Sequence, residues 1–165
     1  MTIKRQRGFS LIELLIVVAI IGIIAAIAIP NLLASRRAAN EGSALATMRV
    51  IFSSEATYHA TSGAGSYGSL SALNTAGLVD SGVAGATSAA NAKSGYLFAA
   101  AVVIPTGGGA GFDASCTPST ATGTGATGTR SFAVNEAGVV YYNVGGTAPT
   151  FNAATRLGSG TVLND

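Results

Sequence analysis

The chain has one cysteine, one histidine and no tryptophan among its 165 residues. A single cysteine, Cys116, excludes a disulfide bond within the chain. Cys116 and His59 are also too few thiolate and imidazole ligands for a zinc site. Because Cys116 lies in a Ser/Thr/Gly-rich stretch, we expect an exposed and incidental thiol. The C-terminal region must then be held by non-covalent contacts, and we expect no cofactor.

Charged residues are scarce as well, at 10% of the chain. Three of the nine basic residues precede residue 8, which leaves six basic against seven acidic side chains in the remainder. No basic patch is left that could neutralise the phosphates of a nucleic acid. The composition therefore argues against a direct nucleic-acid partner.

The sequence contains no convincing catalytic arrangement. Residues 123–128 have the spacing G-x-G-x-x-G, but a dinucleotide-binding fingerprint needs a strand before it and a helix after it. Here a Gly/Thr-rich stretch precedes the glycines and a strand-like segment follows, so chance explains the match better. Aspartate and glutamate residues are too scattered to indicate a calcium site. We predict that the protein is not an enzyme and carries no metal.

The most informative feature is an apolar run of 21 residues, Phe9–Ile29. A helix of that length is about 31 Å long, close to the thickness of the hydrocarbon core of a bilayer. Its one ionisable side chain is Glu13, and a lone carboxylate costs on the order of 3 kcal/mol in lipid. Glu13 is therefore expected to have a function. Three basic residues before the run and two soon after it favour a cytoplasmic N-terminus only narrowly.

The apolar run has two simpler interpretations, a secretory signal peptide and a plain signal anchor. A secretory signal peptide would be cut at an A-x-A-like site, for which residues 26–28 qualify, but the apolar run is too long and a carboxylate near its start is atypical. A plain signal anchor fits the length and leaves Glu13 unexplained.

The sequence GFSLIE at residues 8–13 resembles the prepilin processing motif of type IV pilins and type II secretion pseudopilins. The similarity continues through Gly22 and Pro30 to about residue 60. The resemblance implies that a membrane peptidase cleaves between Gly8 and Phe9 and methylates the new N-terminal amine of Phe9. It further implies that Glu13 pairs with that amine on a neighbouring subunit, and that an inner-membrane platform and an ATPase drive assembly.

We predict an α+β fold in which a long N-terminal helix, kinked near Gly22 and Pro30, carries a small C-terminal head built on an antiparallel sheet. The family resemblance gives this the form of a lollipop. The expected regions are a cytoplasmic leader removed on processing (1–8), a transmembrane and filament-core helix (9–30), its amphipathic continuation (31–60), a connecting loop (61–94) and the sheet head (95–165).

Within the continuation of the helix, Leu45, Met48 and Phe52 recur at helical spacing, and Ala56 and His59 extend the row. This apolar stripe is expected to cover the sheet. Side chains four residues apart are expected to pair weakly: Arg37 with Glu41, and Glu55 with His59. The helix is predicted to stop near residues 61–65, and a short helical turn to form at 69–73.

Three segments are strand-like: 95–104, 130–134 and 139–144, the last two forming a hairpin through the turn at 135–138. Phe132 and Val134 are predicted to share one face. The Gly/Ser/Thr-rich stretches 106–111 and 118–128 are expected to be mobile or surface loops. Phe151 and Leu157 are candidate anchors of the tail.

These features favour a structural subunit of a type IV pilus-like filament, a homo-oligomer. The precursor is expected in the inner membrane with a cytoplasmic N-terminus, and the product in a cell-surface filament. Two alternatives stay open: a periplasmic pseudopilus subunit of a type II secretion system, and a membrane-anchored or secreted binding module.

Overall fold

The computed structural model describes residues 8–163, so the leader residues 1–7 and the acidic Asp165 lie outside the described part. The structure begins with one long helix and ends with a sheet of five antiparallel strands, which confirms the predicted fold class. The chain divides into two compact units, with the boundary between Ser35 and Arg36.

Helix α1 runs from Leu11 to Ala60 without interruption. Alanine, leucine, isoleucine and other good helix formers dominate it, and it continues through Pro30. It ends where Thr61 begins a run of turns, as predicted. A proline inside a helix removes one backbone hydrogen bond and crowds the preceding turn, so the bend expected near Pro30 stays a prediction.

The connection expected at residues 61–94 contains three short helices: α2 at Leu70–Thr75, α3 at Ser81–Ala84 and a 3₁₀ turn at Ala89–Asn91. Ser69 caps α2, because its side chain accepts a hydrogen bond from the amide of Ala72. Asp80 caps α3 in the same way and forms an ion pair with Lys93. These caps fix a segment that has few apolar anchors.

The sheet is a meander in which each strand pairs with the next along the chain. Its strands are β1 (Tyr96–Val103), β2 (Gly111–Pro118), β3 (Arg130–Asn135), β4 (Val140–Val144) and β5 (Thr161–Val162). Strands β1, β3 and β4 match the predicted segments. Strands β2 and β5 were not predicted, because the alternating apolar residues of β2 are mostly small and β5 has only two residues.

The β3–β4 hairpin turns at Gly138, whose φ of 76° favours glycine. A side chain at this position would also collide with the ring of Phe52, 2.9 Å from the place of a Cβ atom. Phe132 and Val134 are both buried, as predicted, and lie opposite Tyr142 and Val140 in the register. The hairpin thereby presents one apolar face to the core.

The core joins α1, the connecting helices and one face of the sheet. The buried row on α1 is displaced from the predicted stripe: Met48 is common to both, Leu45 and Phe52 are only partly buried, and Ala56 is exposed. The row that is buried on α1 comprises Glu41, Ala44, Met48, Ile51, Ser54 and Glu55. Because this buried row includes the polar residues Glu41, Ser54 and Glu55, a search for apolar residues at helical spacing did not find it.

Cys116 is buried in β2, so the prediction of an exposed thiol was wrong. Its side chain lies on the apolar face of the sheet, opposite Phe132 in the next strand. Burial raises the pKa of the thiol to about 12. The thiol therefore behaves as a small apolar side chain.

The loop at 118–128 is tied to α1 and is not a free surface loop. The Arg37 side chain donates hydrogen bonds to the carbonyl oxygens of Gly123, Thr124 and Ala126, and Asn40 donates to that of Thr127. The glycines of the G-x-G-x-x-G match thus lie in a loop that leads to a strand, which excludes the dinucleotide geometry.

Glu41 accepts hydrogen bonds from the amide and hydroxyl of Thr129 at 2.7 Å and from the Arg130 side chain at 2.8 Å. Burial acts to raise the pKa of Glu41, but these donors outweigh it and the pKa is lowered. Arg37 and Glu41 therefore each bind the head, and the predicted pairing between them was wrong. The second predicted pair fails too, since Glu55 accepts from Gly68 and the His59 ring stacks on Tyr67.

The C-terminal tail is held by a network around Arg156. Its guanidinium group binds both oxygens of Glu136, at 2.6 and 2.8 Å, and one oxygen of Asp113 at 2.5 Å. The hydrogen bonds from Arg156 lower the pKa of Glu136 and those carboxylates raise the pKa of Arg156. Nearby, Phe151 packs edge-on against Tyr141, as expected of an anchor. Leu157 is 63% exposed, so its prediction as an anchor was wrong.

Candidate processing and assembly site

The predicted cleavage site lies directly before the helix. Gly8, Phe9 and Ser10 are outside regular secondary structure, and all three are exposed. The Phe9 side chain is 83% exposed. A peptide bond in such a segment is accessible to a peptidase without any unfolding of the helix.

The chain itself does not require glycine at position 8. A Cβ atom built on Gly8 would meet no atom of residues 8–163 within 4 Å, and the φ of Gly8 lies outside the left-handed region. Neither packing nor backbone conformation explains the residue. A glycine that the folded chain does not need is expected where another molecule must approach the backbone closely.

Glu13 caps the helix that contains it. Its Oε2 atom accepts a hydrogen bond from the backbone amide of Ser10 at 2.9 Å, and the Ser10 carbonyl accepts the first helical bond from Leu14. This is the acidic half of a capping box, with Ser10 at the N-cap and Glu13 three residues on. The helix dipole also favours a carboxylate in the first turn. The S-x-x-E spacing was visible in the sequence, although the prediction did not use it.

The large apolar side chains that follow the predicted cleavage site are exposed. Between Phe9 and Ile29 they are 47% to 83% exposed. Among the described residues one helix, α1, is long and apolar enough to cross a membrane by length and composition. Apolar surface of this extent is unstable in water and requires lipid or other apolar surface around it.

Gly22 and Pro30 lie inside this part of α1. A Cβ atom at Gly22 would meet no atom within 4 Å. Because no described atom crowds this position, packing within the chain does not account for Gly22, although glycine destabilises a helix interior. Gly22 leaves room for close approach by another helix, which is how small residues act in helix pairs.

Within residues 8–163, no group of three His, Cys, Asp or Glu side chains gathers as a metal site. The chemistry of this region is that of a scissile peptide bond, a carboxylate and an apolar helix.

Comparison with known proteins gives a family match for the N-terminal residues. Residues 3–29 match the family described as the prokaryotic N-terminal methylation motif. This is the motif of prepilin-type proteins, and it contains Gly8, Phe9, Glu13 and Gly22.

Parts of the chain are also similar to three curated proteins. The chain is 63% identical over 38 residues to the type IV wide pilus major component PilA4 of Thermus thermophilus, a match that covers 23% of this chain and 29% of the relative. It is 44% identical over 54 residues to the type IV major pilin protein PilA of Myxococcus xanthus, covering 33% of this chain and 24% of the relative. The type II secretion system core protein G of Dickeya chrysanthemi is 38% identical over 42 residues, covering 26% and 28%.

The chain thus matches less than a third of the length of each of these curated relatives. No solved structure matches it. The matched stretches cover at most 33% of this chain.

Proposed function

We propose that the protein is a structural subunit of a type IV pilus-like filament, processed by a prepilin peptidase and polymerised from the inner membrane. The observation that carries the proposal is the exposed apolar run Phe9–Ile29, which follows an unconstrained Gly8 and contains the single carboxylate Glu13. The similarity to two type IV pilins, over 38 and 54 residues, supports it.

In the proposed sequence of events, the peptidase cleaves the bond between Gly8 and Phe9 and methylates the amine of Phe9. Cleavage creates a positive charge at the edge of an apolar helix. That charge needs a partner once it leaves water, because an unpaired buried charge is strongly unfavourable. The carboxylate of Glu13 on a neighbouring subunit supplies one.

Glu13 then changes partners during assembly. Before assembly its carboxylate accepts from the Ser10 amide of the same chain, which lowers the cost of holding it in lipid. A neighbour's amine offers a charged donor, and hydrogen bonds between charged groups are roughly twice as strong as neutral ones. This preference would set the register of one subunit against the next, and Gly22 and Pro30 would let the helix bend and pack.

Transfer of the apolar helix from lipid to a filament core gives little free energy, since lipid already solvates its side chains. Removing it into water would cost tens of kcal/mol, at about 25 cal/mol per Å² of apolar surface. Extraction from the membrane therefore needs a motor, and an assembly ATPase with an inner-membrane platform would provide it.

The decisive experiment is mass analysis of the mature N-terminal peptide. A chain that begins with methylated Phe9 is expected. A chain that begins at Ile29 would indicate an ordinary secretory signal peptide cut after residues 26–28, and would overturn the proposal.

A second candidate function is a periplasmic pseudopilus subunit, and the similarity to the core protein of a type II secretion system favours it. Shearing of intact cells separates the two. A surface pilus is expected in the sheared fraction, whereas a pseudopilin would stay with the periplasm and membrane. A correctly processed protein that never sediments as a filament in either fraction would instead indicate an anchored binding module.

A further inference from the structure

Glu55, in the second half of α1, has no part in the proposed processing and assembly. Its side chain is completely buried. One carboxyl oxygen, Oε2, accepts a hydrogen bond from the amide of Gly68 at 2.9 Å. The other, Oε1, is buried and has no hydrogen-bond partner within residues 8–163. Buried polar atoms are nearly always paired, so this oxygen requires an explanation.

Glu41 on the same helix provides the comparison. Its carboxylate accepts from Thr129 and from the cationic side chain of Arg130, and its pKa is lowered. Glu55 accepts one hydrogen bond, from the neutral amide of Gly68. Burial raises the pKa of Glu55, with the Gly68 amide acting in the opposite direction.

The neighbouring groups offer no cation in hydrogen-bonding contact with Glu55. On α1, His59 stacks on the ring of Tyr67 at 4.7 Å, and Arg49 lies six residues earlier, on another side of the helix. Within residues 61–69, Tyr67 is the titratable side chain, and its burial raises its pKa. Glu136 is paired with Arg156. Tyr58 and His59 are the other titratable side chains within four residues of Glu55 on α1.

The connection between α1 and α2, residues 61–69, forms a tight cover beside Glu55. Gly63 and Gly65 donate backbone hydrogen bonds to the carbonyls of Tyr58 and His59. A Cβ atom at Gly68 would lie 3.1 Å from the Tyr58 ring. The cover thus leaves the carboxyl group sealed from water, and an ionised carboxylate could be solvated only if the cover opened.

We propose that the buried Glu55 carboxyl group stays protonated in the closed head and that its ionisation releases residues 61–69 from α1. The device is a pH-dependent cover on the head, independent of the proposed filament function. The sign follows from linkage: the folded state binds this proton more tightly than the unfolded or opened state. The closed form is therefore fully stable below the unfolded pKa of 4.5 and loses stability as pH rises above it.

The test is hydrogen exchange of the amides at 61–69 in the full chain in detergent micelles, corrected for the intrinsic rate at each pH. Opening coupled to one proton is expected to increase by up to about tenfold per pH unit above 4.5, until Glu55 ionises in the closed form. Glu55→Gln, a neutral side chain of the same shape, should abolish this dependence. Glu41→Gln makes the same change at the glutamate that is paired with Thr129 and Arg130. It should destabilise the head but leave the pH dependence of exchange at 61–69 in place.

A wild-type chain without pH dependence in this segment, or an equal dependence in Glu55→Gln, would overturn the proposal. Should Glu55→Gln fail to fold, the wild-type chain labelled with ¹³C at glutamate carboxyl carbons gives a direct answer. One carboxyl must titrate above pH 4.5, and that resonance must be absent from a Glu55→Asp chain. If every glutamate titrates at or below its ordinary range, Glu55 is not protonated and the proposal fails.

Discussion

The two halves of α1 differ in which side chains they bury and which they expose. The first half exposes every large apolar side chain from Leu11 to Ile29, Leu11 most of all. The second half buries two glutamates, Glu41 and Glu55, and leaves Val50 half exposed. Hydrophobicity alone therefore does not tell which residues of α1 are buried. The difference indicates that the second half finds its partners within the chain and the first half needs partners outside it.

The largest effect is expected from Gly8→Val. The substitution should leave uncleaved precursor in the inner membrane and abolish filaments, because a β-branched side chain obstructs close approach of the peptidase to the backbone. Immunoblotting of membrane and sheared fractions measures both. Gly22→Ala is the matched control, since it also removes an unconstrained glycine but lies outside the cleavage site, and it should be cleaved normally. Normal cleavage of Gly8→Val would remove the processing claim.

Glu13→Leu should separate insertion from assembly. The variant should insert and be cleaved, because the change only makes the segment more apolar. Filament yield should fall at least about tenfold, since the neighbour's amine loses its charged partner and 1.4 kcal/mol already corresponds to a factor of about ten. Ile12→Leu, in the adjacent position, should assemble like the wild type. A wild-type yield of filaments from Glu13→Leu would mean that the first half of α1 assembles through apolar contacts alone.

Arg156→Ala tests whether ion pairs hold the tail in place of a disulfide. It should lower the free energy of unfolding by about 2 kcal/mol, because Glu136 and Asp113 lose their donor. The lowered pKa of Glu136 means that its contribution is present above pH 4.5 and is lost as pH falls, so the variant should lose less stability in acid than the wild type. Denaturant titration at pH 7 and pH 3 checks both statements.

The exposed neighbour Leu157 supplies the control for that experiment. Leu157→Ala should change stability by less than about 0.5 kcal/mol, as surface substitutions usually do. Equal stability of Arg156→Ala and the wild type would show that the tail is held by its apolar contacts.

The smallest effect concerns Cys116. Thiol reagents should label it very slowly in the folded chain, because the raised pKa leaves about a thousandfold fewer thiolate ions and the sulfur is buried. Labelling should become rapid in denaturant. A chain with Cys116→Ala and Thr120→Cys, which moves the thiol to an exposed position, should be labelled at once. Rapid labelling of the native wild type would contradict the burial of β2.

Several elements could be predicted because their signals are local. The apolar run, the stop of α1 near residue 61 and the β3–β4 hairpin each follow from residues adjacent in sequence. Strand β2 alternates small apolar and polar residues after Phe112, a weak period-two signal that the prediction did not use. Its pairing with β1 and β3 supplies the hydrogen bonds that its composition does not suggest.

The sequence by itself determined the long helix, its lone carboxylate and the residues of the processing motif, because hydrophobicity and helix propensity act over short distances. Only the tertiary structure decided which face of α1 is buried, why Glu41 and Glu55 differ, and how Arg156 fixes the tail. These outcomes depend on donors far away in the chain, such as Thr129 for Glu41 and Gly68 for Glu55. The protonation and pairing of a buried carboxylate are set by such long-range neighbours, which no local pattern encodes.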